Sequence, residues 1–373
     1  MLLDRTAIQR PRAAALTRMC LSALGLALAI AAPRAGGCGA CAMPVAAPPS
    51  LAWDGETYAA AWAAPEGGKV DVFVYRFHFA GAGDARDAAA HAAEPERVIR
   101  VDSLRGTPEL AAGPDGFLLL VHRGDGDLLA LGLDAAGRVR GETRRAARGT
   151  AALCAAPGWN GESYAAAWIA GGGEGGGARL TLAFLDRSGG VTSSRSMSVP
   201  AGGSCALAVG DRSVALVYTA PRGSALTIAG RAGSIDVDVT ALAGRDAHVV
   251  RLVATGRGFA ILLRAAGGAL RVIEIDRRGR AERGYDIGRP VAADTADLGS
   301  SRGGLFVSWT DSRRIWLAGL DADGALTHRW QGRGGSQPSR ARALGRASEC
   351  ATAWTSLGGR VVHAAVAADC PRR

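Results

Sequence analysis

The sequence predicts an all-β protein, a single seven-bladed β-propeller in which four-stranded antiparallel sheets, the blades, form a closed ring. Three observations support this fold class. An apolar motif recurs along the chain at a regular spacing, a turn motif follows it at a fixed distance, and 53 glycines in 373 residues favour tight turns over long helices. Repeats of about 40 to 50 residues with four strands each are typical of propeller blades.

The apolar motif is a short strand that follows a turn and begins at a residue that we call the anchor. Its clearest copies are WDGETYAAAW, residues 53–62, and WNGESYAAAW, residues 159–168. An Asp-Gly or Asn-Gly turn before such a strand predicts that the anchor opens the second strand of each blade. The anchors are Tyr58, Phe117, Tyr164, Val214, Phe259, Leu305 and Cys350, with spacings of 59, 47, 50, 45, 46 and 45 residues.

Large side chains at alternate positions of the second strand share one face of the sheet. Tyr58 and Trp62 are therefore expected to pack against a neighbouring blade. Four tryptophans are expected at equivalent buried positions around the ring: Trp62, Trp168, Trp309 and Trp354.

The turn motif is an apolar residue, Asp, two variable residues and Gly, about 17 residues after the anchor. Its copies are Asp134 with Gly137, Asp186 with Gly189, Asp276 with Gly279, and Asp321 with Gly324. Asp caps a turn and Gly accepts a positive φ, so these copies predict hairpins. The fourth repeat lacks the motif and the seventh stops near residue 370, which leaves six or eight blades as alternatives.

The N-terminus predicts export. Residues 1–35 read as a signal peptide, with arginines before an apolar run of about 14 residues from Met19 to Ala32. Cleavage near Ala31 or Ala35 and lipidation at Cys38 are the alternatives, so the mature protein is expected in the periplasm, at the outer membrane as a lipoprotein, or outside the cell. Residues 36–48 are a segment that could close the ring as its last strand, and residues 49–373 form the propeller.

Six cysteines follow the signal peptide, where an oxidising compartment permits disulfides. Cys154 and Cys205 lie at near-equivalent sites before the anchors of repeats 3 and 4, so a Cys154–Cys205 disulfide is the first prediction. Ring closure by residues 38–47 would place Cys38 or Cys41 beside Cys370. A bond between Cys350 and Cys370 is a competing pairing.

Composition argues against several functions. The formal net charge of +10 falls to about +6 without the five arginines and one aspartate of the leader, and no arginine-rich run interleaved with aromatics remains. Nucleic-acid binding is therefore not predicted. The sequence also predicts no catalytic residue, no metal site and no cofactor, and it favours a monomer whose membrane contact is limited to a lipid anchor.

Charged residues at hairpin tips are the candidates for ligand binding. The loops between second and third strands share one face of a propeller with the blade-to-blade loops, where binding residues often lie. The main candidates are Glu66, Asp125, Asp127, Asp311, Arg313 and Arg314, accompanied by Lys69, Glu174, Arg222 and Arg360.

The two repeated motifs together resemble the repeats of exported bacterial seven-bladed β-propeller proteins, over residues 49–370. The resemblance implies the fold and says little about function, because propellers serve both as binding scaffolds and as enzymes. A non-catalytic exported scaffold that binds a protein or glycan is the first hypothesis. The alternative is a hydrolase or lyase of extracellular polysaccharide, which would need three or more carboxylates or histidines converging at the channel mouth.

Overall fold

The computed structural model describes 28 strands. It describes residues 2–3, 48–77, 95–148, 152–170, 177–199, 205–210, 213–220, 223–230, 233–240, 247–265, 268–287, 295–301, 304–311, 314–321, 323–333, 342–346, 349–356 and 361–367. The leader apart from Leu2–Leu3, residues 36–47 and Cys370 lie outside this part, so signal cleavage and lipidation at Cys38 remain predictions.

Six blades are built from four consecutive antiparallel strands each. After β1 (Leu2–Leu3), blade 1 contains β2 (Ser50–Trp53), β3 (Tyr58–Glu66), β4 (Lys69–Phe77) and β5 (Glu96–Val101). Blade 2 contains β6 (Glu109–Gly113), β7 (Gly116–His122), β8 (Leu128–Asp134) and β9 (Arg144–Ala147). Blade 3 contains β10 (Ala152–Trp159), β11 (Tyr164–Ala170), β12 (Ala178–Leu185) and β13 (Val191–Val199).

The second half of the chain repeats this arrangement. Blade 4 contains β14 (Cys205–Gly210), β15 (Ser213–Ala220), β16 (Gly223–Gly230) and β17 (Gly233–Asp238). Blade 5 contains β18 (His248–Ala254), β19 (Gly258–Arg264), β20 (Leu270–Asp276) and β21 (Ala281–Ile287). Blade 6 contains β22 (Asp297–Ser301), β23 (Gly304–Asp311), β24 (Arg314–Leu320) and β25 (Leu326–Arg333).

The chain ends in a sheet that we call the C-terminal sheet, which contains β26 (Arg342–Arg346), β27 (Glu349–Ser356) and β28 (Val361–Ala367). Its fourth strand is β1, in which Leu2 pairs with Ala367 and Leu3 with Val366. Six blades, not seven, therefore have the predicted form of four consecutive strands. The count differs because the fourth strand of the C-terminal sheet is β1 and does not follow β28 in the chain. The N-terminal partner of β28 is the apolar pair Leu2–Leu3, whereas the sequence pointed to residues 38–47.

The first strand of each blade lies next to the first strands of its neighbours, and β26 contacts both β22 and β2, so the ring closes. All seven anchors lie on the second strand of a sheet, as predicted. Tyr58 and Trp62 pack against Ala351 of the C-terminal sheet, and Trp168 packs against Leu118 of blade 2. The aromatic face of a second strand thus covers the preceding sheet.

The predicted tryptophan positions agree with the structure where their side chains are described. Trp62, Trp168 and Trp309 are buried. Trp354 lies on β27 opposite His363, but its side chain is outside the described part. These side chains fill the space between neighbouring blades. Because each blade of a closed ring has a neighbour on both faces, the core of the protein lies in these spaces.

The two turn motifs form the predicted turns. Asp134 Oδ1 accepts hydrogen bonds from the amides of Ala136 and Arg138, at 2.8 and 2.9 Å, and Asp186, Asp276 and Asp321 repeat this pattern. The glycine of each copy has a φ of 79 to 88°. Before the anchors, Asp54 and Asn160 cap the turn between first and second strands in the same way. The hairpin chemistry read from the sequence is therefore confirmed.

Candidate functional site

The predicted rim residues lie on the expected hairpins between second and third strands. Glu66 is exposed at the end of β3, Asp125 is exposed between β7 and β8, and Arg314 is exposed at the start of β24. Asp127 is partly exposed in the same turn as Asp125. Asp311 ends β23, but its side chain is outside the described part. The residues outside the described ranges are Glu174, Arg222, Arg313 and Arg360.

Three rim residues, Lys69, Asp125 and Asp127, make ion pairs close to their own hairpins. Asp125 Oδ2 lies 2.6 Å from Arg123 Nη2, and Asp127 Oδ2 lies 2.9 Å from Arg145 Nε. Lys69 Nζ lies 3.5 Å from Asp102 Oδ1. These pairs join neighbours along the chain or the sheet. Ligand binding by the rim stays a prediction.

A different set of side chains meets inside the ring. One residue lies eight positions before each anchor, on the first strand of each sheet, where it is paired with the third residue after the anchor. We call this set the channel layer, because the first strands encircle the axis of the ring. Its members, in blade order, are Ser50, Glu109, Ala156, Ala206, Arg251, Asp297 and Arg342.

Four charged residues of the channel layer form a continuous chain of ion pairs. Arg342 Nη2 donates a hydrogen bond of 2.7 Å to Glu109 Oε1, and Arg342 Nη1 lies 3.8 Å from Asp297 Oδ1. On its other side Asp297 Oδ1 lies 3.5 Å from Arg251 Nε. The pairs run from blade 5 through blade 6 and the C-terminal sheet to blade 2.

The carboxylates of this chain receive further hydrogen bonds. Asp297 Oδ2 accepts the amide of Ala343 at 2.8 Å, and Glu109 Oε1 accepts the hydroxyl of Thr107 at 3.0 Å. Ser50 Oγ lies 3.5 Å from Glu109 Oε2 and accepts the amide of Leu110 at 2.7 Å. The acidic members are thereby held in place by backbone and hydroxyl groups from neighbouring strands.

The two arginines differ in electrostatic environment. Burial alone would lower the pKa of Arg342, but the carboxylates of Glu109 and Asp297 raise it. Burial and then repulsion by Arg342 lower the pKa of Arg251, against the attraction of Asp297. The Nε atoms of both arginines are buried and have no hydrogen-bond partner. Arg251 is therefore the less well compensated cation of the layer.

Sequence reasoning did not identify the channel layer. The sequence pattern that indicates it is the position eight residues before each anchor. Two arginines and two carboxylates occupy this position, and the structure places them at one level of the ring. Aligning the repeats backwards from the anchors, instead of surveying hairpin tips, would have found it. The layer contains two carboxylates, where the enzyme hypothesis asked for at least three acidic or histidine side chains.

A groove with a volume of about 560 Å³ lies between blades 3 and 4. Asn160 and Ser163 line it from the β10–β11 turn, and Ser213 lines it from the start of β15. Because these positions are at the strand ends opposite to the second-to-third-strand hairpins, the groove opens on the opposite face from the predicted rim. Its outer wall comes from β12 and β13, with Leu182, Phe184, Thr192, Ser193, Ser194, Arg195 and Met197.

The cysteine predictions fall largely outside the described side chains. Cys154 lies on β10 and Cys205 on β14, which are the neighbouring first strands of blades 3 and 4. Cys350 is the one cysteine whose side chain is described, and it is buried on β27. No disulfide joins two described cysteines, and Cys154–Cys205 stays a prediction, as does any bond of Cys41 or Cys370.

The described residues contain no group of three or more His, Cys, Asp or Glu side chains that could hold a metal ion. Within the same ranges, no helix combines the length and the apolar character needed to cross a membrane.

Comparison with known proteins supports the class of fold. No family model and no curated protein matches the sequence. Among solved structures, the Dos1 propeller aligns with a TM-score of 0.52 and 10% identity, over 88% of this chain and 93% of that one. A prolyl endopeptidase structure aligns with a TM-score of 0.51 and 12% identity, over 89% of this chain and 51% of that one.

These neighbours and the ring of four-stranded blades define the class: the protein is a β-propeller. At such low identity the similarity extends to the fold alone. One neighbour is described simply as a propeller and the other as an endopeptidase, so the neighbours do not distinguish a scaffold from an enzyme.

Proposed function

We propose that the protein is a non-catalytic exported scaffold that binds a glycan through one face of the ring, in the groove between blades 3 and 4. The observation that carries this proposal is the chemistry of the groove. The lining combines the hydroxyl groups of Ser163 and Ser193 and the side-chain amide of Asn160 with the aromatic ring of Phe184. Sugars combine hydroxyl groups with apolar ring faces, so they suit a site of hydrogen-bonding groups around an aromatic side chain.

The apolar part of the groove wall is rigid. Leu182, Phe184 and Met197 pack against the buried core that blades 3 and 4 share. Their positions are therefore fixed before a ligand arrives, which lowers the entropy lost on binding. Ser193 lies exposed on β13 opposite Phe184, where it can exchange water for sugar hydroxyl groups at little cost.

The ion pairs of the channel favour a scaffold over the alternative, a polysaccharide hydrolase or lyase. An acid–base pair needs two carboxyl groups that can reach the substrate. Glu109 accepts a hydrogen bond from Arg342, and Asp297 lies between Arg251 and Arg342. Both carboxylates of the channel layer are thus already engaged by arginine side chains of the protein.

Titration calorimetry with the full chain tests the proposal. The probes are cellohexaose, maltohexaose and chitohexaose. We expect one of them to bind and Ser193→Trp, which fills the groove from its exposed wall opposite Phe184, to remove binding. Ile235→Ala is the control, because Ile235 is an exposed apolar residue of blade 4 outside the groove. Failure of all three sugars to bind, or equal binding by Ser193→Trp, would contradict the proposal.

The same samples test the alternative. Release of shorter sugars during incubation, detected by chromatography, would support a hydrolase or lyase instead. Export is tested separately by mass spectrometry of the mature protein without reduction. That measurement gives the cleavage site, lipidation at Cys38 and the pairing of Cys154, Cys205, Cys350 and Cys370 together.

A further inference from the structure

Arg251 lies at the boundary between the charged and the small members of the channel layer. Around the ring, Arg251 of blade 5 has Asp297 of blade 6 on one side and Ala206 of blade 4 on the other. The next member of the channel layer, in blade 3, is also an alanine, Ala156. Both alanines are partly exposed, so they border space that solvent reaches. An alanine methyl group leaves this side of the channel open where an acidic side chain would have filled it.

The hydrogen-bonding capacity of Arg251 is largely unused. Its guanidinium makes one ion pair, of 3.5 Å from Nε to Asp297 Oδ1, and no hydrogen bond to a described residue. Arg342, by contrast, pairs with both carboxylates of the layer. The Arg251 side chain keeps 28% of its surface exposed, so solvent reaches part of the guanidinium group although its Nε atom is buried.

We propose that Arg251, with Arg342 behind Asp297, binds a small carboxylate-bearing ligand in the central channel, on the side of the channel formed by Ala206 and Ala156. A planar carboxylate accepts two parallel hydrogen bonds from a guanidinium, which a chloride ion cannot do. Asp297 is paired with both Arg251 and Arg342, so one negative charge faces two positive charges. The bound anion supplies a second negative charge beside Arg251. The channel layer and the groove of blades 3 and 4 are separate, so this inference does not depend on the proposed glycan site.

Sodium glucuronate and sodium acetate are the probes, with glucose as the uncharged counterpart and sodium chloride at matched ionic strength. We expect the midpoint of thermal unfolding of the full chain to rise with glucuronate and to saturate. A similar rise with acetate would mean that the carboxylate suffices, and a rise with glucuronate alone would mean that the sugar contributes. The absence of any rise above that in sodium chloride would overturn the proposal.

Two variants locate the site. Arg251→Gln is expected to weaken glucuronate binding at least about tenfold, because the charged hydrogen bonds are lost. Arg251→Lys keeps the charge but not the two parallel donors, and is expected to bind more weakly than the wild type. Arg278→Gln, at an exposed turn of the same blade, is the control. Unchanged affinity in Arg251→Gln would place the ligand elsewhere and refute the site.

A measurement on the unaltered protein covers the case in which Arg251→Gln does not fold. Phenylglyoxal modifies accessible guanidinium groups, and mass spectrometry follows the modification of Arg251 and Arg278 separately. Saturating glucuronate is expected to slow the modification of Arg251 at least about threefold and to leave Arg278 unchanged. Equal rates for Arg251 with and without glucuronate would overturn the proposal.

Discussion

Tyr164 shows how one polar atom joins two blades. Its hydroxyl donates a hydrogen bond of 2.9 Å to the carbonyl oxygen of Gly116 in blade 2, and both groups are buried. Burial raises the pKa of Tyr164 to about 12, so the hydroxyl keeps its proton at physiological pH. A Cβ at Gly113 would lie 2.6 Å from the hydroxyl oxygen, which explains why glycine ends β6.

Tyr164→Phe should lower the free energy of unfolding by about 1 to 3 kcal/mol, because the buried carbonyl of Gly116 loses its partner. Urea unfolding followed by tryptophan fluorescence measures the change. Tyr218→Phe is the control, since the hydroxyl of Tyr218 makes no hydrogen bond to a described residue. Equal losses in the two variants would show that the bond to Gly116 contributes nothing specific.

Asp71 is a second buried polar residue whose role follows from its partners. It is 2% exposed on β4, opposite Arg100 of β5, which donates two hydrogen bonds of 2.6 and 2.7 Å. The hydrogen bonds from Arg100 hold the pKa of Asp71 below its usual value of 3.8, although burial opposes them. A depressed pKa in the folded state means that this contribution to stability exists above the unfolded-state pKa. It is lost as the pH falls through the folded-state pKa.

Asp71→Asn should therefore be less stable than the wild type at pH 7, and the difference should shrink as the pH falls below about 4. Urea unfolding at pH 7, 5 and 3.5 measures it. Asp102→Asn provides the comparison, because Asp102 is exposed and forms a 3.5 Å pair with Lys69. A stability difference that is the same at every pH would contradict ionisation as the source.

At the scale of elements, the Asp-x-x-Gly turn shows why the third strand of a blade ends where it does. In blade 5, Asp276 Oδ1 accepts the amides of Arg278 and Arg280, and the amide of Gly279 donates to the carbonyl of Asp276 at 3.0 Å. Gly279 has a φ of 79°, in the left-handed region that side chains disfavour. A Cβ there would also lie 2.6 Å from Val237 of blade 4.

Gly279→Ala should destabilise the protein by about 1 to 3 kcal/mol, because the left-handed conformation and the contact with Val237 both oppose a methyl group. Thermal unfolding by circular dichroism measures the effect. Gly284→Ala is the matched control in the next strand, where a Cβ would meet nothing within 4 Å. It should be neutral or slightly stabilising, so a loss as large as that of Gly279→Ala would contradict the explanation.

The same turns explain which features the sequence could predict. Asp-Gly spacing and apolar alternation are local properties, so the strands, the anchors and the turns could be predicted directly. The sequence predicts seven blades and the structure has six, because the pairing of β1 with β28 joins residues far apart in the chain. The channel layer depends on contacts between residues far apart in the chain, such as Glu109 and Arg342. A local sequence pattern does not show which charged residues from different blades come into contact near the axis of a closed ring. The groove likewise depends on how blade 3 packs against blade 4.

At the scale of the whole molecule, closure of the ring depends on the C-terminal sheet. Its inner strand β26 lies between β22 of blade 6 and β2 of blade 1. Arg342 begins this strand, and its pairs with Asp297 and Glu109 connect the sheet to blades 6 and 2. Its side chain is 12% exposed, so these charges interact with little screening by water. The pairs therefore link the end of the chain to its first half.

Arg342→Gln should lower the free energy of unfolding by about 3 to 5 kcal/mol, because the partly buried Glu109 loses its cation and the buried Asp297 keeps only its pair with Arg251. The loss should appear first as faster hydrogen exchange in β26 to β28, since this sheet is held to blade 2 across the channel by Arg342. Exchange in blades 3 and 4, which do not contact Arg342, should stay slow until global unfolding. Arg278→Gln, at an exposed turn, should leave both regions unchanged. Uniform acceleration over all blades would show that Arg342 stabilises the ring as a whole and does not specifically hold the C-terminal sheet closed.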